Sequence, residues 1–324
     1  MIRFSESNIG DLVIEELYPN FYFQHSCWRI LLILTAFISL TITCFFNSLA
    51  TNGSNNLFTQ RTEGISENHL TEFSPARWTF SIWGIIYIWQ ALWLIYAVTR
   101  IPRKSNISYL YIVPNTLHFV VFVFFIINMI LNIGWLFIWD RGYFGWALFI
   151  MFFMFITILI PTVITHILLQ PNRSIYFNSK RKLDIWLVRI LVHNGLAACS
   201  TWLYLATLLN LTIWFSHMYN KDFPSVTDAS TAALVFLFVG MIGYFICENI
   251  IFYCSLAYTF SPWFVLLYTL SGVQSNHNKR NDIADRNRLY ASALLIICCI
   301  LFIVRLGLFI VRYMRNRIPT IREP

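Results

Sequence analysis

The sequence predicts an all-α protein, a polytopic bundle of about eight transmembrane helices. Two observations predict it. Of its 324 residues, 58% are hydrophobic, 18% aromatic and 12% charged, with a mean hydropathy of +0.62. A soluble domain carries about 25% charged residues, so this chain cannot cover a surface exposed to water. The second observation is the recurrence of apolar runs near the roughly 20 residues that cross a bilayer core. They fall at 28–49, 78–99, 117–139, 143–168, 187–216, 230–253, 256–273 and 291–311. The seventh is short and opens on Ser261-Pro262, so it either spans or re-enters.

The formal charge of +8 would suit an acidic partner, but its placement speaks for topology. Arg100, Arg103 and Lys104 follow the second run, Arg173, Lys180, Arg181 and Lys182 follow the fourth, and Arg312, Arg315, Arg317 and Arg322 fill the tail. With eight spans these clusters share one side, the positive-inside pattern with cytosolic termini. Lys279, Arg280, Arg286 and Arg288 fall on the other side and dissent. Nucleic acid is not an expected partner; the lipid bilayer is. The acidic start (Glu6, Asp11, Glu15, Glu16) is wrong for a mitochondrial transit peptide or a cleaved signal. This favours an endomembrane or the plasma membrane and leaves the mitochondrial outer membrane as an alternative. The seven cysteines lie in or beside apolar runs and form neither a disulfide framework nor a zinc site.

In chain order, residues 1–27 read as a cytosolic arm, 28–217 as a five-helix core, 218–311 as additional helices and 312–324 as a basic tail. The polar loop Thr51 to Pro75 is the longest and is expected to act as a lid, because long loops in compact domains tend to be functional. It begins at the sequon Asn52-Gly53-Ser54. Asp140-Arg141-Gly142 makes a tight turn that sets the third and fourth runs antiparallel. Residues 274–290 read as a charged loop.

Chemistry is concentrated in three runs. Asn128, Asn132, Trp135 and Trp139 fall within about 60° of one another on a helix of 3.6 residues per turn. Trp83, Tyr87 and Gln90 repeat the pattern one run earlier. In the fifth run, Gly195, Cys199, Trp202 and Ala206 share a face, with Asn210 one turn beyond. A span needs no such stripe to sit in lipid. Either the stripes line a shared pocket, or the amides are interhelical hydrogen-bonding groups.

These residues carry a resemblance. Leu131-Asn132-Ile133-Gly134-Trp135, followed by Gly145-Trp146-Ala147-Leu148, resembles the third and fourth helices of the translocator protein family (TspO/MBR, also tryptophan-rich sensory protein or peripheral benzodiazepine receptor). Trp202-x-x-x-Ala206-x-x-x-Asn210-x-x-x-Trp214 is similar to its fifth helix, and Pro75-x-x-Trp78 with Trp83-x-x-x-Tyr87 to its second. The resemblance covers roughly 28–217. It implies a cavity for tetrapyrroles, sterols or aromatic drug-like ligands, closed by the loop after the first helix. The lining candidates by position are Trp83, Tyr87, Asn132, Trp135, Trp202 and Asn210. The chain departs from the family in two compacted stretches and in the missing sterol-type motif after the fifth helix. Leu94-x-Tyr96-x-x-x-Arg100 matches that motif's loose form. The first loop's predicted outside position is a further departure, and the added helices mark a divergent branch.

Those added helices hold Glu248, an intramembrane carboxylate and hence a functional candidate. Its calculated depth matches that of Arg305, which predicts a charge pair. His118, His166 and His193 lie on different runs without ligand spacing, and no metal or cofactor is expected; a tetrapyrrole would be a ligand. The expected function is binding of a planar apolar molecule, with translocation or sensing. The rival is an ion-coupled small-molecule transporter using Glu248. A porphyrin- or lipid-modifying enzyme is disfavoured, since no nucleophile–base pair stands out. A homodimer is compatible with this reading.

Overall fold

The computed structural model describes residues 24–53, 56–216, 225–315 and 318. Most of the expected amino-terminal arm, Ser54 of the sequon and most of the basic tail lie outside the described residues.

The apolar runs become α1 (Cys27–Asn52), α3 (Arg77–Thr99), α4 (Phe119–Asp140), α5 (Phe144–Asn178), α6 (Lys182–Trp214), α7 (Val226–Ile251) and α9 (Asp285–Met314). These seven are long and apolar enough to cross a membrane. The loop after α1 carries a short helix, α2 (Thr62–Asn68), and α8 (Ser261–His277) lies between α7 and α9. No strand occurs among the described residues. Gly53 ends α1 at φ 59° and Gly142 turns α4 into α5 at φ 75°, where residues with a Cβ are disfavoured. The predicted tight turn thus joins α4 and α5 as neighbours. Ser225 caps α7 by accepting from the Asp228 N–H at 3.1 Å.

α6 is the most enclosed helix, packed against α5, α3, α7 and α8. Close approach to it explains two small residues: a Cβ on Gly195 would stand 2.9 Å from the Trp89 ring, and one on Gly145 would stand 3.0 Å from Trp214 Nε1.

The seventh run is corrected in its bounds. Residues 252–260 are not a helix; α8 starts at Ser261, with Pro262 in the first turn where its missing N–H is not required. It continues to His277, into the stretch expected to be loop. At 1.5 Å per residue its 17 residues cover about 25 Å. Its start lies beside Asn194 in α6, and its Gly272 carbonyl accepts from the Ala76 N–H at 2.9 Å, at the start of α3. It therefore runs from the interior of the bundle to the lid end and does not turn back.

Non-helical backbone at membrane depth survives only where protein groups satisfy it, and 252–260 is satisfied in that way. Asn194 donates to the Tyr258 carbonyl at 2.8 Å and accepts from the N–H groups of Phe260 and Ser261. Gln170 donates to the Cys254 carbonyl at 3.1 Å. Arg305 donates to the carbonyls of Leu256 (3.2 Å) and Ala257 (2.8 Å).

Candidate functional site

A small cavity lies beneath the loop that joins α1 to α3, the expected lid, and the aromatic stripes meet there. Its walls are Trp83 and Phe80 from α3, Trp135 and Trp139 from α4, Met151 from α5, and Trp202, Ala206 and Asn210 from α6. Thr62, Ser66, Phe73 and Pro75 of the lid form the roof, and Thr269 of α8 closes one side. The rings hold one another in place. Trp135 and Trp139 stack with centroids 5.4 Å apart, and Trp83 meets Trp202 edge-on at 6.0 Å, both favoured geometries for aromatic pairs. The cavity volume is about 30 Å³, room for only one or two waters.

Polar groups in the walls are few. Trp135 Nε1 donates to Asn210 Oδ1 at 3.3 Å, and Asn210 Nδ2 donates to the Ala206 carbonyl at 2.8 Å. Trp139 Nε1 donates to the Thr62 carbonyl at 3.2 Å, tying α2 to α4. The indole N–H of Trp202 is buried and has no hydrogen-bond partner among the described residues.

Six of the residues singled out from sequence therefore line the cavity: Trp83, Trp135, Trp139, Trp202, Ala206 and Asn210. Four do not, and each is occupied in helix packing. Gln90 donates to the Gly195 carbonyl at 2.9 Å and accepts from Trp93 Nε1 at 2.6 Å. Asn128 donates to the Met154 carbonyl and to Thr157 Oγ1, joining α4 to α5. Asn132 accepts from Asn47 Nδ2 at 3.0 Å and donates to Tyr87 Oη at 3.1 Å, so α1, α3 and α4 meet there. Tyr87 is thereby bonded away from the cavity, although its ring stacks on Trp83 at 5.4 Å.

With this geometry the similarity of the chain to known proteins can be placed. Residues 30–311 match the family described as TSPO-like protein. The chain belongs to that family. No curated protein and no solved structure matches it. The match takes in nearly all of the five-helix core and also the extension, residues 218–311.

Two further groups noted in the sequence are taken up in helix packing. Leu94, Tyr96 and Arg100, which fit the loose sterol pattern, are all buried in protein and face no lipid. Tyr96 donates to Asp184 Oδ1 at 3.1 Å, and Arg100 donates to Thr116 Oγ1 and to the Leu110 and Pro114 carbonyls. His166 and His193, on separate helices, stack with centroids 3.8 Å apart. Each also bonds a threonine group: His166 Nε2 to Thr259 Oγ1 at 2.8 Å and His193 Nε2 to the Thr165 carbonyl at 3.1 Å.

Glu248 and Arg305 meet well away from the cavity. Arg305 Nε donates to Glu248 Oε2 at 3.0 Å, and Trp263 Nε1 donates to Glu248 Oε1 at 2.7 Å. Both charged side chains are almost completely buried. The same guanidinium also satisfies the broken backbone at 256–257.

Proposed function

We propose that the protein binds a flat, apolar molecule bearing a hydrogen-bond acceptor, a tetrapyrrole or sterol by class, beneath the lid. It senses or passes this molecule without transforming it. Trp202 carries the proposal. A buried indole N–H without a partner is costly to leave so, and this one belongs to a residue in the wall of an aromatic cavity. An acceptor on the ligand would satisfy it while the ring faces of Trp83 and Trp135 pack on the planar body. A space of about 30 Å³ is far below the several hundred typical of ligand pockets. Entry therefore requires the roof to lift and the rings to part.

Glu248 is a structural charge in this proposal. Its oxygens are occupied by Arg305 and Trp263, which leaves the ion-coupled reading without support.

The test is quenching of tryptophan fluorescence by protoporphyrin IX, using the full chain in detergent micelles. Saturable quenching is expected. Trp202→Phe keeps a ring but removes the donor and should weaken binding roughly 2- to 10-fold, the equivalent of one net hydrogen bond. Quenching that never saturates, or equal affinity in the variant, would overturn the proposal.

A further inference from the structure

The lid's last stretch, residues 71–76, is bonded along its backbone to the extension. The Thr71 carbonyl accepts from Arg280 Nη1 at 3.0 Å, and the Glu72 N–H donates to Ser230 Oγ at 3.1 Å. The Glu72 carbonyl accepts from His277 Nε2 at 2.6 Å and the Ser74 carbonyl from Asn276 Nδ2 at 2.8 Å. The Ala76 N–H donates to the Gly272 carbonyl. Between these tethered groups, Phe73 and Pro75 form part of the cavity roof.

Glu72 is the centre of this contact. Its side chain is 4% exposed, and its carboxylate accepts from Thr227 Oγ1 (2.8 Å), Asn287 Nδ2 (2.6 Å) and the Ala284 N–H (3.3 Å). These donors come from α7, α9 and the turn before α9, and all are neutral. Among the described residues no Lys or Arg forms an ion pair with it. Water lies close by: Asp228 and Arg286, the neighbours of Thr227 and Asn287, form an exposed ion pair at the same end. A carboxylate held by neutral donors beside water has a second favourable state, hydrated outside the contact. A carboxylate held by a buried guanidinium has none.

We propose that Glu72 is the latch of the lid. Through it α7–α9 hold Phe73 and Pro75 over the cavity, and its release into water opens the roof to a planar ligand. Glu72 touches no ligand in this scheme and is a positioning residue. The part that concerns ligand entry rests on the binding proposal; the latch itself does not.

Hydrogen exchange on the ligand-free full chain, followed by mass spectrometry in micelles, decides it. Glu72→Ala should speed exchange across the lid peptide 57–76 at least 10-fold and leave α3 and α6 peptides at wild-type rates. Asn287→Ala removes one donor from the extension side and should speed the same peptide by a smaller factor. It keeps the test decisive if Glu72→Ala does not fold. With protoporphyrin IX as probe, association should be faster in both variants while the cavity walls are intact. Unchanged lid exchange in the variants that fold, or acceleration spread equally over α3 and α6–α9, would overturn the latch. Failure of protoporphyrin IX to bind even the wild type would instead count against the binding proposal, with the exchange result still deciding the latch.

Discussion

At each of its two ends the extension packs around one buried carboxylate, its own Glu248 at one end and Glu72 of the lid at the other, and the two are satisfied in opposite ways. Glu248, inside α7, has a guanidinium at 3.0 Å and an indole N–H at 2.7 Å. Glu72, at the lid, has an amide, a hydroxyl and a backbone N–H. Depth accounts for the difference. A lone charge in hydrocarbon costs at least about 2.5–3.5 kcal/mol, and Glu248 is wholly buried in protein, so a counter-charge is required. Glu72 sits one residue layer from exposed ionic groups, where neutral donors are sufficient. The first contact is built to stay closed; the second can exchange its partners for water.

The comparison can be broken most forcefully at Arg305. Arg305→Met leaves Glu248 buried and unpaired and should cost about 3–5 kcal/mol, read as a fall in melting temperature and in the monodisperse fraction on size exclusion. The double swap Glu248→Arg with Arg305→Glu sharpens the point. It restores the pair, but a carboxylate at 305 cannot donate to the Leu256 and Ala257 carbonyls, so recovery should be partial. Complete recovery would mean that those backbone bonds contribute nothing.

At the lid end the fit is steric as well as polar. A Cβ on Gly272 would stand 2.1 Å from Thr79 Oγ1, so Gly272→Ala must push α8 away from the start of α3. Overpacking of this kind costs about 1–3 kcal/mol. Thr79 Oγ1 has no hydrogen-bond partner to lose. Thr79→Ala in the Gly272→Ala background should therefore recover most of the loss in melting temperature. If the second change recovers nothing, the tight approach is not what positions α8.

Helix existence was legible because each span writes its own length in apolar residues, and the irregularity of the run 256–273 was marked by Ser261-Pro262, where α8 begins. The aromatic cavity was legible because Trp83, Trp135 and Trp202 each lie on a stripe of helical spacing within their own run. The fates of the amides were not. Gln90, Asn128 and Asn132 lie on the same stripes as the tryptophans, and sequence spacing fixes a face without saying whether a neighbouring carbonyl waits there. Arg305 could be paired with Glu248 because equal depth follows from 1.5 Å per residue. Glu72 had no such ruler. It lies in a loop, and its donors are 155 to 215 residues distant in sequence. The stacking of His166 on His193 was hidden for the same reason, since one-dimensional spacing carries no information about contacts between helices. Charge in the outer loop was legible only as composition: Arg280 bonds the lid at Thr71 and also Asp282, whose carboxyl it holds below the usual range.

The smallest expected effect tests the division between cavity and packing. Asn128 sits on the same stripe as Trp135 but donates to the Met154 carbonyl at 2.6 Å and to Thr157 Oγ1 at 2.9 Å. Such interhelical bonds contribute about 0.6 kcal/mol on average and up to about 1.7. The side-chain oxygen Oδ1 of Asn128 is itself buried without a partner among the described residues, a cost that a leucine of similar size removes. The two terms oppose each other, so Asn128→Leu should change stability by less than about 1 kcal/mol. Its effect on protoporphyrin IX affinity should be nil, because the residue does not line the cavity. Trp202→Phe should give the reverse pattern, weaker binding with the fold retained. If Asn128→Leu weakens binding as much as Trp202→Phe, the bound state reaches deeper along α4 than the closed cavity does, and the stripe would be a single binding surface after all.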